Sequence, residues 1–172
     1  GSEVVLAYGI AVDASGNSSI TGNFSETATF GNTTLTSSGT YDVFVTRYDS
    51  NGNVLWAKRA GGTGENYGYG IAIDASGNSY ITGRINDNAS FGNVTLTSVG
   101  SSDVYVAKYD LNGNVLWVKR AGGSDYDTGV GIAANAAGHN YVTGFFVGNA
   151  SFGNFTLTDA GNTDIFVAKL SS

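Results

Sequence analysis

Two short motifs place oxygen-bearing side chains at alternate positions beside a glycine, a pattern that suits Ca²⁺. They are Asp49-Ser50-Asn51-Gly52-Asn53 and Asp110-Leu111-Asn112-Gly113-Asn114. A calcium loop also needs an acidic ligand at its twelfth position, where this chain has Ala60 and Ala121. The pattern therefore favours turns whose side chains bond local backbone, with calcium as a weak alternative and no other cofactor or metal. The weak calcium candidates are Asp49, Asn51, Asp110 and Asn112.

The residues that usually carry catalysis are scarce. The chain has one histidine, His139, and no cysteine, which excludes thiol–imidazole catalysis and sites built from several histidines. Paired carboxylates hydrolyse glycosidic bonds, but they need unlike environments, and a repetitive chain offers like ones. We predict that the protein is not an enzyme and has no catalytic or cofactor-binding residue. A glycan hydrolase stays as the least favoured alternative.

A second set of charged residues recurs at a fixed spacing. In each case an aspartate stands five residues before a basic residue. We interpret the pairs as strand-entry bonds and rim charges, with a repeated polar ligand surface as the alternative. The aspartates are Asp42, Asp103 and Asp164, and the basic residues are Arg47, Lys108 and Lys169.

Composition narrows the classes of protein and partner. The 172 residues suffice for one ordinary domain, and the absence of cysteine excludes a disulfide framework. A net charge of −6 repels phosphate backbones and anionic membranes, so nucleic acid is not an expected partner. No apolar run approaches a membrane span, so we expect a soluble chain without membrane insertion. The leading Gly1-Ser2 is typical of a cloning scar on an excised segment.

The elements that position these residues repeat every 61 residues without a gap. Residues 9–13 (GIAVD) return as 70–74 (GIAID) and 131–135 (GIAAN). We therefore divide the chain into three repeat segments, which together form one domain or part of a ring. The first segment is 1–61, the second is 62–122, and the third, truncated one is 123–172.

Within a segment, short apolar runs alternate with Gly, Asn, Asp and Ser, and no helical period is sustained. The second segment predicts four antiparallel strands at 69–74, 79–83, 103–109 and 114–120, with a hairpin-like excursion between the second and third. An all-β meander of about four strands per repeat is typical of β-propeller blades. Trp56 and Trp117 are predicted to fill the core between blades.

Four motifs that recur in order resemble the SBBP type of β-propeller repeat. They are residues 9–17 (GIAVDASGN), 20–22 (ITG), 42–45 (DVFV) and 48–62 (YDSNGNVLWAKRAGG). The resemblance covers essentially the whole chain, although the third segment departs from it at Asn135. It implies a propeller fold and a secreted or cell-surface location in a large bacterial or archaeal protein.

Three blades are fewer than a propeller ring contains, so two apolar blade faces should remain uncovered. The third segment stops where its third strand ends and lacks an outer strand. We predict a homodimer closing a six-bladed ring, with a nine-bladed trimer as the alternative. The N-terminal residues near the joint, predicted as an extended or exchanged strand, are Val4, Val5 and Leu6. The residues of the facing strand edge are Asp164, Ile165, Phe166 and Val167.

The leading function is a non-enzymatic propeller scaffold of a secreted or cell-surface protein, presenting repeated loops for protein or glycan recognition. The alternative from another class is a self-associating propeller fragment, engineered or excised, with no ligand. Both hypotheses stay open at this point, because a fold does not by itself specify a function.

Overall fold

A computed structural model describes residues 3–135 and 138–170. In this part of the chain all regular structure is β, with 17 strands and no helix. Gly1-Ser2 lies outside the described residues. No helix that could cross a membrane occurs among those described.

Each repeat segment contributes strands in the same order along the chain. In the first segment these are β1 (Val5–Val12), β2 (Ser18–Phe24), β3 (Thr27–Phe30), β4 (Thr33–Thr36), β5 (Asp42–Tyr48) and β6 (Val54–Gly61). In the second they are β7 (Tyr67–Ile73), β8 (Ser79–Ile85), β9 (Asn88–Phe91), β10 (Val94–Thr97), β11 (Asp103–Tyr109) and β12 (Val115–Gly123). In the third they are β13 (Thr128–Ala134), β14 (Asn140–Phe146), β15 (Asn149–Phe152), β16 (Phe155–Thr158) and β17 (Asp164–Leu170).

The longer strands form three antiparallel meanders. Their orders are β1-β2-β5-β6, β7-β8-β11-β12 and β13-β14-β17, and β17 is the edge of its sheet. The predicted third strand of the second segment has the bounds of β11, and the others differ by a few residues at their ends. The structure is therefore all-β, and its sheets are consistent with propeller-like repeats.

The short hairpins extend the neighbouring sheet, which the sequence did not predict. β9 pairs with β6 of the preceding segment through Ala60 opposite Phe91 and Gly61 opposite Ser90, and β15 pairs with β12 in the same way. Two six-stranded sheets result, whereas β3 and β4 form a two-stranded sheet of their own. The excursion is thus a pair of strands whose partner lies about 30 residues earlier, a contact that local patterns do not reveal.

The first strands of the meanders, β1, β7 and β13, bring the three meanders together. A Cβ added at Gly9 would lie 2.9 Å from the Tyr69 carbonyl oxygen, and one at Gly70 would lie 2.9 Å from the Val130 carbonyl oxygen. Backbones can approach this closely only where a side chain is missing. The chain therefore stacks its sheets in sequence order, with the first and third segments at the two ends.

Two apolar cores fill the spaces between successive sheets. The first combines Val43, Val45 and Trp56 with residues of the second segment, among them Ile71 and Ile81. The second combines residues from the second and third segments in the same manner, including Val104, Val106, Val142 and Phe166. Burial of these faces is the main stabilising contribution in such a stack.

Candidate binding surfaces

The two calcium-like motifs form turns in which the carboxylate is already bonded. Asp49 Oδ1 accepts hydrogen bonds from the Asn51 and Asn53 amides at 2.9 and 2.8 Å, and Oδ2 accepts one from Asn53 Nδ2 at 2.8 Å. These donors, the Asn53 side chain foremost, lower the pKa of Asp49. Asp110 makes the equivalent three bonds with Asn112 and Asn114. The geometry matches turn residues, and the described residues contain no group of three or more His, Cys, Asp or Glu side chains that could hold a metal ion.

The recurrent aspartates sit at the entry to the third long strand of each segment. The buried Asp42 Oδ2 accepts hydrogen bonds from the Ser38 amide at 2.8 Å and from Arg59 Nη1 at 2.6 Å. Asp103 binds the Val99 amide and Arg120 in the same arrangement. Asp164 accepts the equivalent bond from the Ala160 amide at 2.6 Å. These contacts support the interpretation as strand-entry bonds.

Arg47 and Lys108 each contact an aspartate turn of their own segment, and Arg47 also donates a hydrogen bond to the Gly77 carbonyl of the second segment at 2.7 Å. Arg47 Nη2 lies 2.6 Å from Asp13 Oδ2, and Lys108 Nζ lies 3.6 Å from Asp74 Oδ2. His139 donates its backbone N–H to Asn135 Oδ1 at 3.0 Å, which places it in the corresponding turn of the third segment. None of these contacts assembles a nucleophile with a base.

A cluster of tyrosines surrounds Arg84 and was not predicted from the sequence. The Arg84 guanidinium carbon lies 4.4 Å from the ring centroid of Tyr67 and 4.8 Å from that of Tyr126. Tyr67 stacks on Tyr69 at 5.7 Å, and Tyr69 contacts Tyr8 at 5.3 Å. Burial, with a smaller contribution from Glu65, raises the pKa of Tyr67 to about 12. We call this set the tyrosine cluster. Its sequence signal is the alternation Tyr67-Gly68-Tyr69 at the start of β7.

The third segment exposes a face that the first two segments bury. Ile165 and Val167 are 80% and 74% exposed, whereas Val43 and Val45, 122 residues earlier, are fully buried. The corresponding pair in the second segment, Val104 and Val106, is also buried. We define the C-terminal face as Tyr141, Thr143, Ile165 and Val167, all of which are exposed.

The first segment exposes the opposite face. Ile10 is 66% exposed, whereas its equivalent Ile71 is 7% exposed and packs between the first and second sheets. We define the N-terminal face as Val5, Ala7, Ile10 and Val12, which lie along β1 and are exposed. Each end of the stack therefore carries an apolar surface whose internal counterpart is covered by a neighbouring segment.

The residues predicted at the joint fall into distinct places. Val5 and Leu6 begin β1 and pair with Phe24 and Asn23 of β2, while Val4 exchanges hydrogen bonds with Ser25. Val5 and Leu6 therefore belong to an extended strand of the first sheet, and Val4 directly precedes it.

Phe166 lies on the predicted strand edge, since β17 pairs with β14 alone. Its side chain is buried in the core, because side chains along a strand alternate between two faces and Phe166 points opposite to Ile165 and Val167.

A groove of about 890 Å³ runs beside β17. Its walls come from β11, β12, β14, β17 and the hairpin of β15 and β16, and they are mostly apolar. The lining includes Val106, Val142, Phe152, Phe166 and Leu170.

Comparison with known proteins gives one family and two curated relatives. Residues 55–89 match the SBBP family, described as a beta-propeller repeat. Over 110 residues the chain is 29% identical to "Regulatory protein FlaEY" of Caulobacter vibrioides, covering 62% of this chain and 12% of that protein. It is 28% identical over 163 residues to "Uncharacterized WD repeat-containing protein L264" of Acanthamoeba polyphaga mimivirus, covering 76% of this chain and 12% of that protein. The chain thus spans about an eighth of the length of either relative.

Proposed function

We propose, from the SBBP-type beta-propeller repeat that this chain carries, that it is a non-catalytic scaffold whose two end faces bind protein, above all a second copy of itself. The observation that carries the proposal is the contrast between Ile165, which is 80% exposed, and its buried equivalents Val43 and Val104. In this proposal each 61-residue segment is one blade of a propeller. A secreted or cell-surface location belongs to the proposal as well and rests on the resemblance to the repeat family.

Head-to-tail contact between copies is the arrangement that repeated faces favour. The C-terminal face of one copy matches the surface that the first segment offers to the second, and the N-terminal face of the next copy would cover it. Such a contact closes when the rotation per chain divides a full turn. Two chains then complete six blades, and three chains complete nine.

One position leads us to expect that the proposed contact between copies differs from the internal one. A Cβ at Gly68 would lie 2.9 Å from Val43 Cγ1 and closer still to Thr21 Oγ1. At the contact between copies the equivalent residues are Ala7, Ile165 and Thr143, so a methyl group meets a larger side chain. The two faces must therefore sit further apart, which makes association weaker than the internal packing.

Light scattering and sedimentation at micromolar concentration test the proposal. We expect a species of about twice the 17.7 kDa chain mass. The variant Ile165→Glu should abolish it by burying a charge, while Val99→Glu, at a position 66% exposed outside both faces, should leave it unchanged. Ala7→Gly should strengthen association several-fold by removing the methyl group. A monomer at all accessible concentrations, or equal effects of the two glutamates, would contradict the proposal.

A second candidate function is glycan binding by the tyrosine cluster. Aromatic rings beside a cation present the apolar and polar contacts that sugars require, and Tyr8 is about half exposed. A glycan array with the intact chain and Tyr8→Ala tests this candidate. Reproducible binding that the variant loses would support it, and binding that the variant retains would place the glycan elsewhere.

A further inference from the structure

β17 is paired on one side only, whereas the equivalent strands of the other two segments are paired on both sides. β5 lies between β2 and β6, and β11 lies between β8 and β12, whereas β17 pairs with β14 alone. A strand at the edge of a sheet presents backbone donors and acceptors to any extended chain that can reach them. The edge of β17 is therefore a template for one more strand.

The groove beside the β17 edge corresponds to a space that is filled by side chains of β12 in the core between the first and second sheets. Val115 and Val118 of β12 pack against the core between the first and second sheets. None of the described residues of the third segment fills the equivalent space, which is the groove of about 890 Å³ lined by Val142, Phe152 and Leu170. A strand added to β17 in the register of β12 would direct two apolar side chains into this groove.

Asp164 adds a charge that discriminates between possible strands. Its equivalents Asp42 and Asp103 each accept a bond from a loop amide and pair with an arginine of the neighbouring outer strand. Asp164 makes the loop bond, to the Ala160 amide, but the described residues provide no basic partner for it. The loop bond holds the carboxylate in place, so it is preorganised to receive a guanidinium.

We infer that the β17 edge binds an extended segment of a second polypeptide that carries the pattern of β12, Val-Leu-Trp-Val-Lys-Arg-Ala. The pairing of β11 with β12 sets the register, with Val104 opposite Ala121 and Tyr109 opposite Val115. The corresponding alanine of the bound segment lies opposite Ile165 and its first valine opposite Leu170. Backbone pairing supplies affinity, while the groove and Asp164 select the sequence. This binding does not require association of two copies.

A labelled synthetic peptide with the sequence of residues 110–123 tests the inference against the intact chain. Fluorescence anisotropy should show saturable one-to-one binding, and hydrogen exchange should slow in β17. A peptide of scrambled order should bind at least about tenfold more weakly, and a peptide with proline at the Val118 position should lose binding because proline is poorly accommodated within a paired strand. Saturable binding that the scrambled peptide reproduces, or no binding at millimolar peptide, would overturn the inference.

Two charge variants locate the site on the protein. Asp164→Asn should weaken binding of the unchanged peptide about fivefold. A peptide with glutamine at the position of Arg120 should bind the unchanged protein about fivefold more weakly as well. Combining the two changes should cause little further loss of affinity, because both remove the same ion pair. Asp87→Asn removes the same charge from an exposed turn and should have no effect. Equal effects of Asp164→Asn and Asp87→Asn would refute the assigned site. Circular dichroism confirms that each variant is folded, and sedimentation of the same samples separates peptide binding from self-association.

Discussion

The junction between the first and second sheets and the junction between the second and third use equivalent residues but differ in burial at the outer strand. Trp56 is 8% exposed, donates its indole N–H to the Leu111 carbonyl at 2.9 Å, and stacks on Tyr109 at 6.1 Å. Trp117, at the equivalent position 61 residues later, is only half-buried. The same residue type thus has two environments within one chain.

The difference arises from what the following segment supplies. Tyr109 and the turn at 110–114 cover Trp56, and a Cβ at Gly113 would lie 2.8 Å from its ring. In the third segment, Leu170 stands in place of Tyr109 at the end of β17, and no described turn follows it. Burial in this repeat therefore depends on the neighbour more than on the residue itself, as expected for a stack whose units contact only adjacent units.

Alanine substitution of the two tryptophans tests the difference in their burial directly, and it should have the largest effect on the free energy of unfolding. We expect Trp56→Ala to lower the free energy of unfolding by about 3–5 kcal/mol, because it empties a packed aromatic site. Trp117→Ala should cost about half as much, since part of its ring already contacts solvent. Urea denaturation followed by circular dichroism gives both values. Equal losses would show that the two junctions are energetically alike.

Close backbone packing at the first junction predicts a loss of stability smaller than that expected for Trp56→Ala. Gly68→Ala should destabilise the chain by about 1–3 kcal/mol, because the new methyl group meets Val43 and Thr21 across the junction. Gly161→Ala is the matched control, since a Cβ there has no atom within 4 Å. Thermal unfolding of both variants measures the loss of stability that each substitution causes. A Gly68 variant as stable as the control would mean that the sheets separate at little cost.

Much of the fold follows from local sequence patterns. Turn residues such as Asp110 and Gly113 separate short apolar runs, and the nearly continuous apolar run of β11 matches a strand covered on both faces. The 61-residue period also fixes which residues are equivalent, so the exposed ends of the stack could be predicted from the segment count. These features are local or periodic, and a single sequence records both.

The contacts that depend on pairing between distant residues could not be predicted. The attachment of β9 to β6 joins Phe91 to Ala60 across a junction, and neither residue type specifies that partner. The tyrosine cluster likewise brings Tyr8, Tyr69 and Tyr126 together from three segments. The edge position of Phe166 follows from the segment count, whereas the face that its side chain occupies depends on the packing of β17 against the core.

The two junctions also differ in one buried charge. Asn66 at the first junction is replaced by Asp127 at the second, and both are fully buried. Asp127 accepts hydrogen bonds from the Gly123 amide at 2.6 Å and the Val147 amide at 3.3 Å. Burial raises its pKa, and the nearby carboxylates of Asp103 and Asp125 act in the same direction against those two bonds. The second junction therefore contains a carboxyl group that ionises less readily than usual.

Replacing this carboxyl group gives the smallest effect and a defined pH dependence. A raised pKa in the folded state means that ionisation disfavours folding, so the penalty is absent below the ordinary value of 3.8 and grows as pH rises through the folded pKa. Asp127→Asn should therefore stabilise the chain at pH 7 by up to about 1 kcal/mol, and the difference should vanish near pH 3.5. Asn66→Asp should introduce the same penalty at the first junction. Urea unfolding of the three proteins across this range measures the differences, and a pH-independent gain for Asp127→Asn would show that packing, not charge, separates the two junctions.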